Sequence, residues 1–563
     1  MNGYAGKYLK VDLSAGKVTV AATPAGLCES YIGGRGLGVA LMGDRITHTY
    51  DYPKMPIIFS TGPLVGTDVP TSGRMSVVSR SPLTGTVTDS SVGGCFGTEL
   101  KRAGFDYIEI TGASKEWVVI DIENDSVSIV TAGNLAGVNI FDLHKLIGAG
   151  HSFAAIGRAG ERGVLYSSIM IDGRYAAGRG GLGAVMGAKK LKAIRVKGDG
   201  MISVADPECL AEATEDIMRL LRASPAIFGE FGIAEFGTAA LVDLIHARRM
   251  EPTDNFRRTY FPEATRYSGH QIKTRYMTEK TGCAGCPILC KKTGLRGEVI
   301  PEFESASHFG ALNGCADLQT IVEANRICND FGLDTISAAS TIACYAEISG
   351  IRLTSSKLLS MLIDIGNREG LGSALSEGSF RYACSRGRPE LSMSVKKLEL
   401  PAYDPRGAYG MALAYATSNR GGCHMRAYPV GCEILRKPVA VDRFSFEGKA
   451  RMIKISEDIN AVADSLSACR FTFLAAGLEE YSRALNAVTG GDHDVQSLMK
   501  IGESIWNLER RMNAANGFAM SDDDLPARFF TEEGSSGSAK IPPIDREEFL
   551  RALDNYYRIR GYK

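Results

Sequence analysis

The stretch Gly178-Arg-Gly-Gly-Leu-Gly-Ala-Val-Met-Gly-Ala-Lys-Lys-Leu-Lys-Ala-Ile194 separates two halves of different character. Upstream of it, short alternating or apolar runs recur between glycine turns, at 8–13, 17–21, 57–61, 75–79, 107–111, 117–122, 126–130 and 154–156. Its own end leads into another at 193–197. A period of two predicts strands, interrupted by helical segments at 97–103 and 140–148. Downstream, from Asp206, the period becomes 3.6. Residues 207–224 read as a helix with Asp206 as N-cap and Pro207 in its first position. The helical pattern continues at 318–331, 337–349, 356–367, 373–384, 453–466, 478–488 and 494–515. Residues 397–400 look strand-like and 403–411 read as loop. The last thirty residues read as a surface tail ending in a short helix. The fold class is therefore α+β: a β-rich domain over 1–203, then mostly helical domains over 204–400 and 401–563.

Composition narrows the function. The 563 residues exceed one domain, and 64 Lys+Arg against 64 Asp+Glu leave no net charge. A nucleic-acid enzyme of this size would carry a basic surplus, so that class is disfavoured. Charged residues at 23% and hydrophobic ones at 44% exclude wholesale disorder. No run of 18 apolar residues occurs, which argues against a membrane span. Met1-Asn-Gly-Tyr-Ala-Gly-Lys lacks an apolar core, so no signal peptide is visible and a cytoplasmic location is expected. The 64 glycines are in excess, as close backbone approach to a large buried cofactor would require. Thirteen cysteines, an odd number without an export signal, point to metal ligation or small buried residues, not to disulfides.

The strongest local motif is Cys283-Ala-Gly-Cys286-Pro-Ile-Leu-Cys290. Three thiols from one constrained loop suit a corner of an iron–sulfur cluster or a structural zinc. No second C-x2-C or H-x3-H pair follows, which favours the cluster, and a fourth ligand must come from elsewhere. The glycine clusters Gly33–Gly38, Gly93–Gly97 and Gly178–Gly183 read singly as tight turns; Gly34-Arg-Gly36-Leu-Gly38 has the wrong spacing for a dinucleotide loop, and Gly178–Gly183 is expected to fail that spacing likewise. Together, with Arg35, Arg74 and Arg179 nearby, they fit backbone amides and guanidinium groups gripping phosphates.

Several longer stretches carry a family resemblance. They are Gly3-Tyr-Ala-Gly-Lys-Tyr-Leu-Lys-Val-Asp-Leu, Tyr31-Ile-Gly-Gly-Arg-Gly-Leu-Gly, Ser79-Arg-Ser-Pro-Leu-Thr-Gly-Thr, the Gly178–Ile194 stretch, the cysteine triplet and Asn419-Arg-Gly-Gly-Cys-His-Met-Arg. With these the chain resembles the tungsten-dependent aldehyde:ferredoxin oxidoreductases over nearly its whole length. The resemblance implies a tungsten (or molybdenum) bis-pyranopterin beside a [4Fe–4S] cluster, a Mg2+ bridging the pterin phosphates, and a β-rich domain as base for the pterins. It implies Cys469 as fourth cluster ligand after Cys283, Cys286 and Cys290. It places Arg74 between cluster and pterin, with Gly93, Gly94, Arg179, Gly180, Gly181, Leu182 and Gly183 at the cofactor. The two pterin motifs correspond to Asn329-Asp-Phe-Gly-Leu333-Asp334 and Asp464-Ser-Leu-Ser467-Ala468-Cys469, with Asn329 and Ser467 departing from the family's Asp and Gly. Ser91 stands where an Asn helps hold the magnesium. Glu323-Ala-Asn-Arg326 replaces the E-x-x-H of a subunit-bridging iron site, so a homo-oligomer would form without one.

His424 is the expected acid/base, because its ordinary pKa suits proton transfer near neutrality. Its carboxylate partner is Glu304, with Glu302 as second candidate. On an extended strand the two would face the same side. His308 is expected to pack structurally. The remaining cysteines (Cys28, Cys95, Cys209, Cys315, Cys328, Cys344, Cys384, Cys423 and Cys432) read as small buried residues. The expected activity is oxidation of an aldehyde with water to a carboxylate, with electrons leaving for ferredoxin or a ferredoxin-like subunit. The alternatives are an aromatic-ring or acyl-CoA reductase subunit on the same scaffold, and a cluster- or zinc-stapled binding subunit without catalysis.

Overall fold

The computed structural model describes residues 1–147, 150–534 and 540–562. Two six-stranded sheets dominate the first third. One runs Lys17–Ala22, Lys7–Asp12, Tyr107–Thr111, Ile57–Ser60, Met75–Arg80, Val87–Val92, and the other Tyr175–Ala177, Ile169–Ile171, Ser152–Ala155, Leu191–Lys197, Val118–Glu123, Ser126–Thr131. Neighbours are antiparallel except Lys7–Asp12 beside Tyr107–Thr111 and Val118–Glu123 beside Leu191–Lys197. Alternation explains the packing: Leu9, Val11, Phe59, Val77, Ile108 and Ile110 leave one sheet on one side. They join Ile120, Ile122, Ile169, Ile171, Ile194 and Val196 of the other in a single buried cluster. The opposite face of the first sheet, at Ile58 and Val78, is covered by Leu37, Val39 and Met42 of the helix Gly34–Met42.

The Gly178–Ile194 stretch joins Tyr175–Ala177 to the helix Leu182–Ala188 and the strand Leu191–Lys197. Gly178, Gly180 and Gly183 do keep the G-x-G-x-x-G spacing of a dinucleotide loop. The strand before them pairs antiparallel with Ile169–Ile171, however, so no βαβ unit forms and the run is a turn. Gly181, the N-cap of that helix, has φ +76°, and a Cβ there would fall 2.0 Å from the Leu165 carbonyl oxygen. Only glycine fits.

The helical part follows its caps. Asp206 accepts the Cys209 amide at 3.0 Å to open Pro207–Ala223, and Asp494 caps Val495–Ala515. Three expectations need correction. Residues 302–304 are not a strand: Glu302 is the N-cap of the helix Phe303–Phe309, which forms because Phe303, Ala306 and Phe309 bury one stripe. Residues 403–411 are not all loop: Tyr409–Thr417 is a helix buried on every side, so it has no polar face to reveal a period. The end of the chain is not a surface tail: Arg546–Arg560 is a helix that buries Phe549, Ala552, Leu553 and Tyr556. Residues 148–149 and 535–539, within the expected helical segment and tail, lie outside the described residues. All thirteen cysteines are free, but Cys95, Cys209 and Cys384 are exposed, because their helix positions face solvent. No helix among the described residues is long and apolar enough to cross a membrane.

The sheets and the helical part are joined through buried charge. Arg35, fully buried, donates from Nε and Nη2 to the Glu509 carboxylate at 2.7 and 2.8 Å. It also lies 3.6 Å from Asp89 and 3.5 Å from Asp464. Removing one member of such a pair strands the other charge in a low dielectric. Glu509→Ala is therefore expected to lower unfolding stability by about 3–5 kcal/mol in a denaturant titration. Glu547→Ala, which loses only a surface pair with Arg551, should leave the curve in place.

Candidate active site

The cysteine loop lies between Glu279–Thr281 and Lys291–Thr293, whose antiparallel pairing brings its ends together. Cys469 arrives from far along the chain, its amide donating to the Thr71 carbonyl at 3.0 Å. The β-rich part closes a third side: a Cβ on Gly93 would lie 2.2 Å from Cys283 Sγ, and Tyr175 donates its hydroxyl to the Gly282 carbonyl at 2.5 Å. Burial raises the thiol of Cys286 to about 11, and the neighbouring Cys469 and Cys283 add to the effect. Burial likewise raises Cys290 and Cys469, whose environments include the other thiols. Arg74 sits among them, fixed by Ser91 through Nε to Oγ at 3.0 Å and Nη2 to the carbonyl at 2.8 Å. The four cysteines expected as ligands are thus brought together.

Next to this corner lies a ring of buried charge that sequence reading found only in part. Arg426 pairs with Asp89 and stands 3.7 Å from Asp464, while Arg470 Nε donates to Asp464 at 3.1 Å. Against the penalty of burial, Arg426, Arg35 and Arg420 hold Asp89 well below the usual carboxylate range. Asp334, the N-cap of Thr335–Ser349, accepts from Ser337 at 2.7 Å and from Arg179 at 3.1 Å. Arg179 also donates to the carbonyls of Glu399 and Gly422, at 2.5 and 3.1 Å. Asn329 and Asp334 line a cavity of about 90 Å³ with Lys291, Glu302 and Asn325. Leu333 and Ala468 are buried beside their motifs. Ser467, in place of glycine, holds φ +60°. Arg420, Arg426 and Arg470 escaped sequence reading because their partners are remote. The adjacent motifs Asn419–Arg426 and Asp464–Cys469 were the available signal.

Glu304 occupies the first turn of Phe303–Phe309, where its Oε2 accepts the Ala402 amide at 2.8 Å. Its Oε1 lies 3.7 Å from His424 Nε2. Burial pushes the Glu304 carboxyl up to about 8; Ala402 and Arg179 oppose this, and Asp334 and Cys423 add to it. Burial and the charges of Arg179, Arg420 and Arg470 push His424 well below its ordinary value. Both shifts favour the uncharged form, which sets an acid against a base. Tyr403 and Tyr428 flank the imidazole at ring-centre distances of 5.6 and 6.0 Å. His308 points both ring nitrogens at carbonyls, of Glu304 (2.8 Å) and Leu400 (3.1 Å), and is structural. Glu302 does not join the pair: with the helix starting at Phe303 it turns to Lys291 at 2.6 Å, on the cysteine side.

Several buried polar atoms here have no partner among the described residues: Arg35 Nη1, Arg426 Nε, Arg470 Nη1, Asp89 Oδ2, Glu304 Oε1 and His424 Nδ1. Leaving such groups unmet is costly. An anionic, donor-rich group would satisfy them, so the residues fit a large prosthetic group. A β-sandwich base, a four-thiol corner and an adjoining cation-rich chamber define a redox enzyme built around such groups.

Known proteins agree. The family model "Aldehyde ferredoxin oxidoreductase, N-terminal domain" matches residues 8–198, and "Aldehyde ferredoxin oxidoreductase, domains 2 & 3" matches 212–563. The tungsten-containing aldehyde ferredoxin oxidoreductases of Pyrococcus furiosus and Thermococcus kodakarensis are each 39% identical over 590 residues, covering 100% of this chain and 97% of theirs. The solved active-site complex BamBC of benzoyl coenzyme A reductase shares the fold, with TM-score 0.86, 23% identity and coverage of 100% and 95%. The chain belongs to the aldehyde ferredoxin oxidoreductase family and is an oxidoreductase.

The acid carries a stability consequence. Glu304 binds its proton more tightly folded than unfolded, so its contribution is present below the unfolded value and lost as pH rises through about 8. Glu304→Gln lacks that loss. Its stability relative to the native chain is expected to grow between about pH 5 and 8 in denaturant titrations; a constant difference across that range would contradict the assignment.

Proposed function

We propose that this oxidoreductase converts an aldehyde and water to a carboxylate and passes the electrons to ferredoxin or a ferredoxin-like subunit. When bound, a tungsten bis-pyranopterin supplies the oxygen-transfer and two-electron chemistry, and a [4Fe–4S] cluster supplies the one-electron exit. Cys283, Cys286, Cys290 and Cys469 would hold the cluster. Arg74, Arg179, Asp334, Asp464 and the glycines of the Gly93–Gly94 and Gly180–Gly183 turns would hold the pterins. A Mg2+ between the pterin phosphates follows from the family resemblance.

The observation carrying this reading is the Glu304–His424 pair at 3.7 Å beside the cation-rich chamber, whose surroundings favour the uncharged form of each group. A protonated Glu304 donates a hydrogen bond to the aldehyde oxygen and holds it in place. Neutral His424 accepts the proton released as water adds to the carbonyl carbon. The cations that depress His424 here would be offset by an anionic cofactor, which makes the imidazole a stronger base. Groups placed this way contribute about 10²–10⁴-fold.

His424→Asn and Glu304→Gln are each expected to cut aldehyde oxidation by about 10²–10⁴-fold with tungsten and iron content unchanged. The double variant should be little worse than either single one. Wild-type turnover by His424→Asn, or reduction of an aromatic acyl-CoA without aldehyde oxidation, would sink the reading. Cys469→Ala should lose the EPR signal of the reduced cluster; a signal of normal intensity would remove Cys469 from the ligand set.

A further inference from the structure

Cys423 precedes His424, and its environment is unlike that of any cysteine in an apolar core. Its sulfur is buried, with 1% of the residue exposed. Three N–H groups point at it: Arg420 Nε at 3.2 Å, Arg420 Nη2 at 2.9 Å and the Met425 amide at 3.3 Å. The remaining Arg420 nitrogen, Nη1, donates to the Asp89 carbonyl at 2.5 Å. One edge of a guanidinium is thus spent entirely on one sulfur, a geometry suited to an anion.

Charge balance gives a second, independent argument. Arg35, Arg420, Arg426 and Arg470 are four buried or largely buried cations around the chamber. Asp89, Asp464 and Glu509 supply three carboxylates, each paired with Arg35, Arg426 or Arg470. Arg420 makes no ion pair with a carboxylate among the described residues; its side-chain partners are Cys423 and a backbone carbonyl. Asp89 acts on Arg420 only from beyond ion-pair distance; a buried guanidinium edge that meets no anion is expensive, and a thiolate is the anion in contact.

We propose that Cys423 is a standing thiolate, the counter-ion of Arg420, which positions His424 and adds to the burial that keeps the proton on Glu304. The clamp spans Arg420 to Cys423 and closes the loop immediately before the imidazole. Gly421 and Gly422 leave that loop no slack: a Cβ on Gly421 would lie 2.7 Å from the Val395 carbonyl, and one on Gly422 2.5 Å from that of Leu398. The thiolate faces Arg420, Arg426 and Arg179, which draw it below its ordinary value against the effect of burial. Cys328, buried without cations, is pushed well up. Glu304 in turn faces Arg179, Asp334, His308, His424, Tyr403 and Tyr415, and the charge of Cys423 acts on it through space. Cys423 is a positioning residue that acts through Glu304 and His424, and the proposal rests on reading those two as the acid–base pair.

The test compares Cys423→Ser, which keeps size without charge, with Cys423→Asp, which keeps the charge. The readout is the infrared band of the protonated Glu304 carboxyl in the loaded enzyme, identified as the band absent from Glu304→Gln, followed against pH. In Cys423→Ser the band should titrate at lower pH than in the native enzyme, with the pH dependence of kcat moving the same way. In Cys423→Asp both should stay near the native position. An unmoved band in the serine variant, or identical behaviour of the two variants, overturns the proposal. If the serine variant fails to load its metals, loading and turnover by the aspartate variant supports the charge requirement, and failure of both overturns it. Should Glu304→Gln and His424→Asn turn over like the native enzyme, the acid–base reading fails instead, a result the band titration does not depend on.

Discussion

The centre of this protein depends on keeping guanidinium groups out of water. Arg35 is fully buried; it and Arg426 both reach Asp89 and Asp464, and Arg470 reaches Asp464. Desolvating each cation costs several kcal/mol, recovered only when anions meet it with good geometry. The anions come from different parts of the chain: Asp89 from a strand of the first sheet, Asp464 and Glu509 from the helices Lys449–Ser465 and Val495–Ala515. Neither the sheets nor the helices can satisfy the charge alone. Buried ion pairs are weak sources of net stability, so the network is better understood as fixing register between the two parts and leaving a polar chamber at their seam.

The same seam organises the cysteine corner. Asp464 and Cys469 lie five positions apart on one turn, the first in the charge ring and the second among the thiols. Thr71 binds the Cys469 amide, and Arg74, three residues on, is anchored to Ser91 on the neighbouring strand. Gly93, at the end of that strand, leaves space for the Cys283 sulfur. Short segments from both parts of the chain therefore serve two chambers at once. A shift in their packing would move the thiols and the charged ring together.

The sequence made the sheets legible because their residues alternate in hydrophobicity, and made several helices legible through caps such as Asp206 and Asp494. It misread Glu302 and Glu304, because three buried positions at helical spacing (Phe303, Ala306 and Phe309) are too few to establish a period. It missed Tyr409–Thr417 because a segment buried on all sides has no amphipathic pattern. The functional motifs were visible as local runs. What they contact was not: Arg35 meets Glu509 across 474 positions, and Glu304 meets His424 across the helix start and a remote loop. Residue identity shows that a group can ionise, while its partners decide whether it does.

That distinction explains how two carboxylates in one site hold opposite states. Asp89 faces several guanidinium groups and stays ionised despite complete burial. Glu304 keeps 17% of its side chain exposed, and its nearest partners are an amide hydrogen and the rings of His424 and His308, while Arg179 is engaged by Asp334 and two carbonyls. Burial then dominates, and the proton stays on. On the proposed reading, a site that must both cradle an anionic prosthetic group and polarise a neutral carbonyl needs both conditions: fixed cations on the cofactor side and an un-ionised donor on the substrate side. Were Glu304 ionised, it would compete for the same cations and lose the hydrogen it has to donate. The separation of the two environments, set by which carboxylate the arginines can reach, is what lets one chamber do both.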